Sequence, residues 1–327
     1  MTAVSVVSTV LNEADDIDLL VESLMRQTLA PAEVVIVDGG SSDGTWERLE
    51  AARLKYPALV PIRDESCNLK RSAGPIARGR NVAIAVASSD VVACADAGCT
   101  YPPDWLANLT APILNGDAEY SLGGAYIDLS ETDPSHATVW DVASAPFFGV
   151  KLNPGAATKS CTARSMAFRK ELWRRAGGFP ETVFYGEDTQ FDAKARQLAR
   201  PAFAERAKAC YRPRHSFVSA ARQMASYSAA WGILGGRWAR LWRNLARCLA
   251  EILAAIALAY SPIPLACVLA LEIYFAFRLD WNDLRKAPLR MLGARLVFSA
   301  MVPWVAAWSQ SAGSIGKKFR PNRQNFT

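Results

Sequence analysis

The sequence predicts an α/β fold, in which a mostly parallel sheet is flanked by helices, followed by a C-terminal helical region that associates with a membrane. Short β-branched runs alternate with helical patterns in the first two thirds of the chain. Acidic residues directly follow two of these runs. From about residue 216 the chain becomes rich in tryptophan, arginine and long uncharged stretches. We therefore expect one domain over residues 1–215 and a membrane-associated region of amphipathic and hydrophobic helices over 216–327.

The first elements follow from local patterns. Residues 3–10 form a β-branched run that predicts a buried strand. A helical pattern comes next, with Ile17, Leu20, Val21 and Leu24 spaced to share one face. Residues 34–37 predict a second buried strand, 38–44 a tight turn of small residues, and 45–55 a helix. This alternation indicates βαβ units and a parallel sheet.

The alternation continues along the domain. A helix is expected over residues 78–88 and an apolar strand over 90–96. The apolar side of that helix is predicted to consist of Val82, Ile84, Ala85 and Val86. The pair Pro102-Pro103 starts another helix, and Glu187-Asp188 precedes a further one. Residues 115–160 predict only turns and short strands.

Charge divides the chain unevenly. Residues 1–210 carry 21 Lys and Arg against 27 Asp and Glu, whereas residues 211–327 carry 16 against 4. A basic end of this kind suits an anionic surface, either nucleic acid or the cytoplasmic leaflet of a membrane. The N-terminus lacks the basic start of a signal peptide and reads directly as a strand, so export of the first domain is not expected.

The cysteines and histidines do not form a metal-binding pattern. Seven cysteines are scattered without a C-x-x-C pair, and the chain has only two histidines, His136 and His215. A structural zinc site is therefore not expected, and reduced thiols in a cytosolic compartment are the default interpretation.

The C-terminal region has membrane character but an ambiguous topology. Aromatic and arginine residues over 222–247 predict an interfacial segment. The 20 residues Ile252–Leu271 carry no charge and, at about 1.5 Å per residue, match a hydrocarbon core of roughly 30 Å. If this stretch and the second one, Leu296–Gly316, both crossed, a loop with five basic residues would lie outside, against the positive-inside rule. Ser261 and Pro262 allow a re-entrant or in-plane hairpin instead. The alternative is an alanine-rich helical domain that does not touch lipid.

Carboxylates at strand ends are the main chemical signal. In an open parallel sheet, ligands bind beyond the carboxyl ends of the strands. Asp38 and Asp96 each end a predicted strand, so both are expected in that crevice. Neither G-x-G-x-x-G nor G-x-x-x-x-G-K-[ST] occurs, so a dinucleotide fold of that type and a P-loop are not supported.

Four blocks together resemble a known family. The segment VSVVSTVLNEADDI with VVIVDGGSSDGT, then ARGRN at 77–81, VVACADAGCTYPPDWL at 91–106, and SMAFRKELWRRAGGFPE with YGEDTQF within 165–191 occur in order. They resemble the inverting glycosyltransferases of family 2, which have the GT-A fold, and the resemblance covers roughly residues 3–215. The tail is more weakly similar to that of bacterial members that build exopolysaccharide or lipid-linked glycans.

The resemblance implies a role for each matched position. Thr9 and Glu13 would line the nucleotide pocket, and Asp38 would accept hydrogen bonds from the base. Arg80 would help to hold the nucleotide. Asp96 would contact the donor ribose and the metal, and Arg164 would shape the sugar side. Asp188 matches the general base, with Glu187 beside it on the acceptor side. A carboxylate at a helix start is also kept ionised by the helix dipole, which agrees with the role of Asp188.

The chain departs from the family at Asp96-Ala97-Gly98, where the family has Asp-x-Asp. The missing second acid is the one expected to bind a divalent cation. Mg²⁺ or Mn²⁺ remains the expected cofactor, held by Asp96 and the diphosphate, because Mg²⁺ often uses only one or two carboxylates plus phosphates.

The expected reaction is a single displacement at the cytoplasmic face of the cell membrane. An acceptor hydroxyl, on a saccharide or a polyprenyl-diphosphate-linked sugar, attacks C1 of a UDP- or GDP-hexose, with no nucleic acid as partner. Two alternatives remain. A nucleotidyltransferase should carry a basic, glycine-rich segment after its first strand, where this chain has Leu11-Asn12-Glu13. A degenerate domain would bind a nucleotide-sugar without catalysis.

Overall fold

The computed structural model describes residues 3–127, 162–211, 217–233, 238–257, 260–277 and 289–319. These residues belong to two compact units, the first reaching to residue 211 and the second starting at residue 217. The predicted domain boundary at 215/216 lies outside the described residues, and so does His215.

The first unit is built on an eight-stranded mixed sheet. Its strands are β1 (Val4–Val10), β2 (Glu33–Asp38), β3 (Leu59–Arg63), β4 (Val91–Cys94), β5 (Cys99–Thr100), β6 (Tyr120–Tyr126), β7 (Met166–Arg169) and β8 (Pro201–Tyr211). Their order is β3-β2-β1-β4-β7-β6-β8-β5. The expected α/β class is thereby confirmed.

The parallel part of the sheet comes from the β-branched runs. β1 pairs in parallel with both β2 and β4, so that Val7 lies between Val35 and Cys94. These three residues are fully buried. Because β1, β2 and β4 run in the same direction side by side, their carboxyl ends meet at one edge, which is where the acidic residues Asp38 and Asp96 follow.

The other half of the sheet is mixed. β7 runs antiparallel to both β4 and β6, whereas β8 runs parallel to β6 and antiparallel to β5. β7 continues the sheet directly beside β4, and a short 3-10 helix, Ala163–Ser165, precedes it. This brings Arg164 close to the carboxyl end of β4.

The helices of this unit are α1 (Ile17–Met25), α2 (Thr45–Lys55), α3 (Pro75–Val86), α4 (Trp105–Leu114), α5 (Lys170–Arg175) and α6 (Glu187–Leu198). α1 buries the four residues that the spacing predicted. α3 begins at Pro75, three residues before the predicted start.

The predicted apolar side of α3 is confirmed for Ile84, which is buried, and for Val82, which packs against the core, but it is wrong for Ala85 and Val86, which are exposed. The buried residues of the helix are Pro75, Ala77, Gly79, Arg80, Ala83 and Ile84. Adjacent residues of a helix point about 100° apart, so the run 84–86 cannot lie on one face. The structure therefore buries a charged residue, Arg80, in the middle of this helix.

The second unit consists of α7 (Phe217–Ile233), α8 (Trp238–Ala257), α9 (Ile263–Phe277) and α10 (Leu289–Phe319). Its core contains Ala220 and Met224 of α7 against Ala294, Phe298 and Val302 of α10. The helix pair is thus held by small and flexible apolar side chains.

Of the two arrangements left open for Ile252–Leu271, a continuous crossing helix is not formed. α8 ends at Ala257 and α9 begins at Ile263, with Ser261 between them accepting a hydrogen bond from the backbone N–H of Ile263 at 3.3 Å. Proline at 262 explains the break, since it cannot continue a helix and is favoured at a helix start. Among the described residues, no helix combines the length and the apolar character that crossing a membrane requires.

Candidate active site

The candidate site is organised around the buried side chain of Arg80. Gly79 lets α3 lie directly on β1, because a Cβ added at Gly79 would come within 2.1 Å of Thr9 Oγ1. The next residue, Arg80, is only 3% exposed. Its guanidinium donates to Asp96, just beyond β4, and to Glu187, at the start of α6. Three segments far apart in the chain therefore meet at one guanidinium.

The charges of this cluster are strongly coupled. Burial lowers the pKa of Arg80, but the carboxylates of Asp96 and Glu187 outweigh burial and hold it well above its usual value, so Arg80 stays charged. Burial raises the pKa of Glu187, and Arg80 opposes that shift. Glu187 is 6% exposed, whereas the Asp96 side chain is 24% exposed. Asp96 is thus the member of the cluster that is open to a ligand.

Asp188 lies next to the cluster in the first turn of α6. Gly186 adopts a left-handed φ of 80° immediately before this helix, which favours glycine at that position. The half-buried Asp188 accepts a hydrogen bond from the backbone N–H of Ala163 at 3.3 Å. The sequence predicted both acids of this pair as catalytic, and the structure separates them into a buried Glu187 and a more accessible Asp188.

Tyr101 links Asp96 to Arg164 and was not predicted. Its hydroxyl accepts a hydrogen bond from the backbone N–H of Asp96 at 2.8 Å and donates to the carbonyl of Arg164 at 3.0 Å. The Arg164 guanidinium lies 4.5 Å from the ring centroid of Tyr211. Tyr101 is 4% exposed, which identifies it as a positioning residue. The only sequence signal for it was its place in the block 91–106.

The remaining predicted residues lie at the ends of β1 and β2. Asp38 is fully buried and accepts hydrogen bonds from the backbone N–H and the hydroxyl of Ser41, so it closes its own turn. The backbone N–H of Glu13 donates to Thr45 Oγ1 at 2.8 Å. Neighbouring strands lie about 5 Å apart, so Asp38 and Asp96 end strands that are roughly 10 Å apart across β1. The structure thus joins Arg80, Asp96 and Glu187 directly, and places Thr9, Glu13 and Asp38 along the same edge.

A second set of contacts holds the segment that precedes α6. Asn81 donates to the carbonyl of Phe179 at 2.8 Å and to Glu181 at 2.9 Å. Arg78, three residues earlier on α3, forms an ion pair with Glu181 at 3.1 Å. Within the ARGRN block, the sequence predicted a role for Arg80 alone. Arg78 and Asn81 are three residues apart on a helix and therefore share a face, which was the available signal for their common contact with Glu181.

The side chains of the site supply few of the ligands that a divalent cation needs. Within the described ranges, no three His, Cys, Asp or Glu side chains are grouped closely enough to hold a metal ion. Asp96 is partly exposed and can supply one carboxylate oxygen beside the one that binds Arg80. A cation at Asp96 therefore fits if a diphosphate supplies most of its ligands.

Comparison with protein families gives one match. The family model described as glycosyl transferase family 2 matches residues 5–175. This range contains Thr9, Glu13, Asp38, Arg80, Asp96 and Arg164, whereas Glu187 and Asp188 lie beyond it.

Two relatives match parts of the chain. The succinoglycan biosynthesis protein ExoA of Rhizobium meliloti (strain 1021) is 28% identical over 223 residues, which is 64% of this chain and 62% of ExoA. A dolichol-phosphate mannosyltransferase of Pyrococcus furiosus is 33% identical over 95 residues, 29% of this chain and 25% of that protein. The chain thus spans less than two thirds of either relative.

A solved structure shows the fold. A mannosyltransferase from Pyrobaculum calidifontis, solved in complex with GDP-Man and Mn²⁺, superposes with a TM-score of 0.61 at 19% sequence identity. The superposition covers 94% of this chain and 87% of that one. It agrees with the GT-A fold that the sequence motifs implied.

Proposed function

Because the chain belongs to glycosyl transferase family 2, we propose that it transfers a hexose from a UDP- or GDP-sugar to an acceptor hydroxyl, with inversion at the sugar C1. The observation that carries this proposal is the convergence of Asp96 and Glu187 on Arg80, which brings Asp188 to the carboxyl edge of the parallel strands. Ligands of open α/β sheets bind at this edge.

Asp188 is the proposed general base. It is the more accessible acid of its pair and lies in the first turn of α6. The acceptor hydroxyl attacks C1 from the face opposite the leaving diphosphate as Asp188 removes its proton. Glu187 has its carboxylate buried against Arg80, so we assign it a positioning role beside the base.

The donor is proposed to lie along the ends of β1, β2 and β4. Thr9, Glu13 and Asp38 line the nucleotide end, and Asp96 and Arg164 lie at the diphosphate and sugar end. Since Arg80 is buried and bound to two carboxylates, it acts by fixing Asp96. A divalent cation bound by Asp96 and the diphosphate would neutralise the charge of the leaving group.

The acceptor is proposed to be a saccharide or a polyprenyl-diphosphate-linked sugar at the cytoplasmic face of the cell membrane. The match to a protein of succinoglycan biosynthesis supports a glycan of the cell envelope. The basic C-terminal region supports a membrane location, because it suits anionic lipid.

The substitution Asp188→Asn tests the assignment of the base. We expect the transfer rate to fall by about 10²–10⁴-fold, because loss of a general base has that size. Release of UDP or GDP is measured across a panel of UDP- and GDP-hexoses with saccharide and lipid-linked acceptors. Nucleotide binding, followed by thermal shift with and without Mn²⁺, should be retained.

The matched control is Glu171→Gln, another acid-to-amide change in the first turn of a helix. Glu171 forms an ion pair with Arg174 on the exposed surface, so the rate should not change. An unchanged rate in Asp188→Asn would remove Asp188 as the base. Binding without any turnover in the unaltered protein would instead favour a domain that only binds nucleotide-sugars.

A further inference from the structure

Helix α8 turns a continuous apolar face outward. Its exposed large apolar residues are Trp242, Leu245, Leu249, Ile252, Leu253 and Ile256, each between 37% and 66% exposed. At about 100° per residue, these six side chains fall within an arc of about 100°. We call them the outer face of α8.

The opposite side of α8 is polar and packed. Arg247 donates to the carbonyl of Ser299 at 3.2 Å, and Glu251 accepts a hydrogen bond from the indole of Trp304 at 2.5 Å. Both partners lie on α10, so these contacts fix which side of α8 meets the rest of its unit. A helix in water normally buries its large apolar side chains, whereas α8 buries Leu241, Cys248 and Ala254 but exposes the six residues of its outer face.

The exposed apolar surface continues beyond α8. Tyr260, in the connection to α9, is 91% exposed, and Ile263 at the start of α9 is 69% exposed. Further along α9, Leu269, Ile273 and Tyr274 are exposed by about half. This many exposed large apolar side chains on two successive helices indicate a binding surface rather than the ordinary scatter of single residues.

We propose that the outer face of α8, continued by α9, binds the surface of an anionic lipid bilayer, with α8 lying in the plane of the interface. Residues 211–327 carry 16 basic against 4 acidic residues, which complements anionic lipid and disfavours pairing with a second copy of the same basic surface. This proposal concerns a different surface from the transfer reaction and does not rest on it.

Flotation of the full chain with vesicles tests the proposal. Vesicles of phosphatidylcholine alone are compared with vesicles that also contain phosphatidylglycerol, and binding should be stronger to the anionic vesicles and weaken with salt. The double substitution Leu249→Glu with Ile256→Glu should lower vesicle binding about a hundredfold or more, since each side chain loses the burial of a large apolar group.

The matched control is Leu19→Glu with Leu54→Glu, which adds the same two charges at leucines that are 41% and 87% exposed on the first unit. This variant should float like the unaltered protein. The proposal is overturned if the unaltered chain does not float, or if both double variants lose binding equally. It is also overturned if sedimentation without lipid shows a dimer that Leu249→Glu dissolves while vesicle binding is unchanged. None of these readouts depends on transferase activity.

Discussion

Arg80 illustrates how a single buried charge can organise a site. Removing a guanidinium from water is unfavourable, and only close carboxylates on both sides make the buried position tolerable. Asp96 and Glu187 provide these carboxylates from two different segments, which orders both of them. The residue that the sequence motifs assigned to nucleotide binding therefore acts first on the protein itself.

Substitution of Arg80 should destabilise the first unit. Arg80→Ala leaves the buried Glu187 without its cation, so we expect the free energy of unfolding to fall by about 3–5 kcal/mol, as measured by urea denaturation. Arg26→Ala is the control, because Arg26 pairs with Glu22 on the exposed surface, where an ion pair contributes about 0–1 kcal/mol. Adding Glu187→Gln to Arg80→Ala should recover part of the loss. Equal effects of the Arg80 and Arg26 substitutions would contradict this account.

Residue types were easier to predict than the partners of those residues. Asp38 and Asp96 could be placed at strand ends from local sequence alone. The partner of Arg80, Glu187, lies 107 positions away, and no local pattern encodes such a contact. For Asp38 the sequence did not distinguish between two roles, binding of a nucleotide base and closing of its own turn. In the structure its carboxylate accepts hydrogen bonds within that turn.

At the scale of elements, periodic apolar patterns were reliable where they were regular. β1, β2, α1 and α2 appear where the patterns placed them. β3 was not predicted because Pro61 interrupts its apolar run, and the strand tolerates proline at the edge of the sheet. β8 was missed because its alanines and charged residues have low strand propensity.

Helix α6 depends on an aromatic cluster for its position. Phe191 stacks on Phe179 with ring centroids 4.4 Å apart and contacts Phe168 of β7 at 5.2 Å. Phe191 is fully buried four residues after Glu187, one turn along the helix. The packing of this one side chain therefore sets where the first turn of α6, with its two acids, meets Arg80.

We expect Phe191→Ala to lower the free energy of unfolding by about 3–5 kcal/mol, the usual cost of removing a buried phenylalanine. Transfer should fall further than the remaining folded fraction explains, because the helix start shifts. Leu198→Ala on the same helix is the control, since Leu198 is 43% exposed and should cost much less. Urea denaturation and a transfer assay at a temperature where both variants are folded give the two readouts. Normal specific activity in Phe191→Ala would show that the cluster does not position the acids.

At the scale of the whole molecule, charge and apolar exposure divide the chain at the same place. The first unit carries the acidic excess and buries most of its apolar residues, whereas the second is basic and exposes many of them. Hydropathy alone predicted an apolar segment over 252–271, and it was the pair Ser261-Pro262 that allowed a break within this segment. The composition thus predicted where the basic, apolar region begins, whereas its division into separate helices depends on the local backbone.

The reactivity of the cysteines tests this difference in exposure between the two units. Burial raises the pKa of Cys67 to about 11 and that of Cys94 to about 12, and burial likewise raises the pKa of Cys99. Cys267, on α9, is exposed. Because only the thiolate reacts, about a thousandth of Cys67 is reactive at pH 8 even before its burial blocks access.

A brief pulse of N-ethylmaleimide at pH 8, without lipid, should therefore label Cys267 at least about a hundredfold faster than Cys67, Cys94 or Cys99. Peptide mapping by mass spectrometry assigns the label to each position. In concentrated urea the four cysteines should react at similar rates, which controls for differences in peptide recovery. Labelling of Cys94 as fast as that of Cys267 in the native protein would show that the end of β4, and with it the surroundings of Arg80, is open to solvent rather than packed.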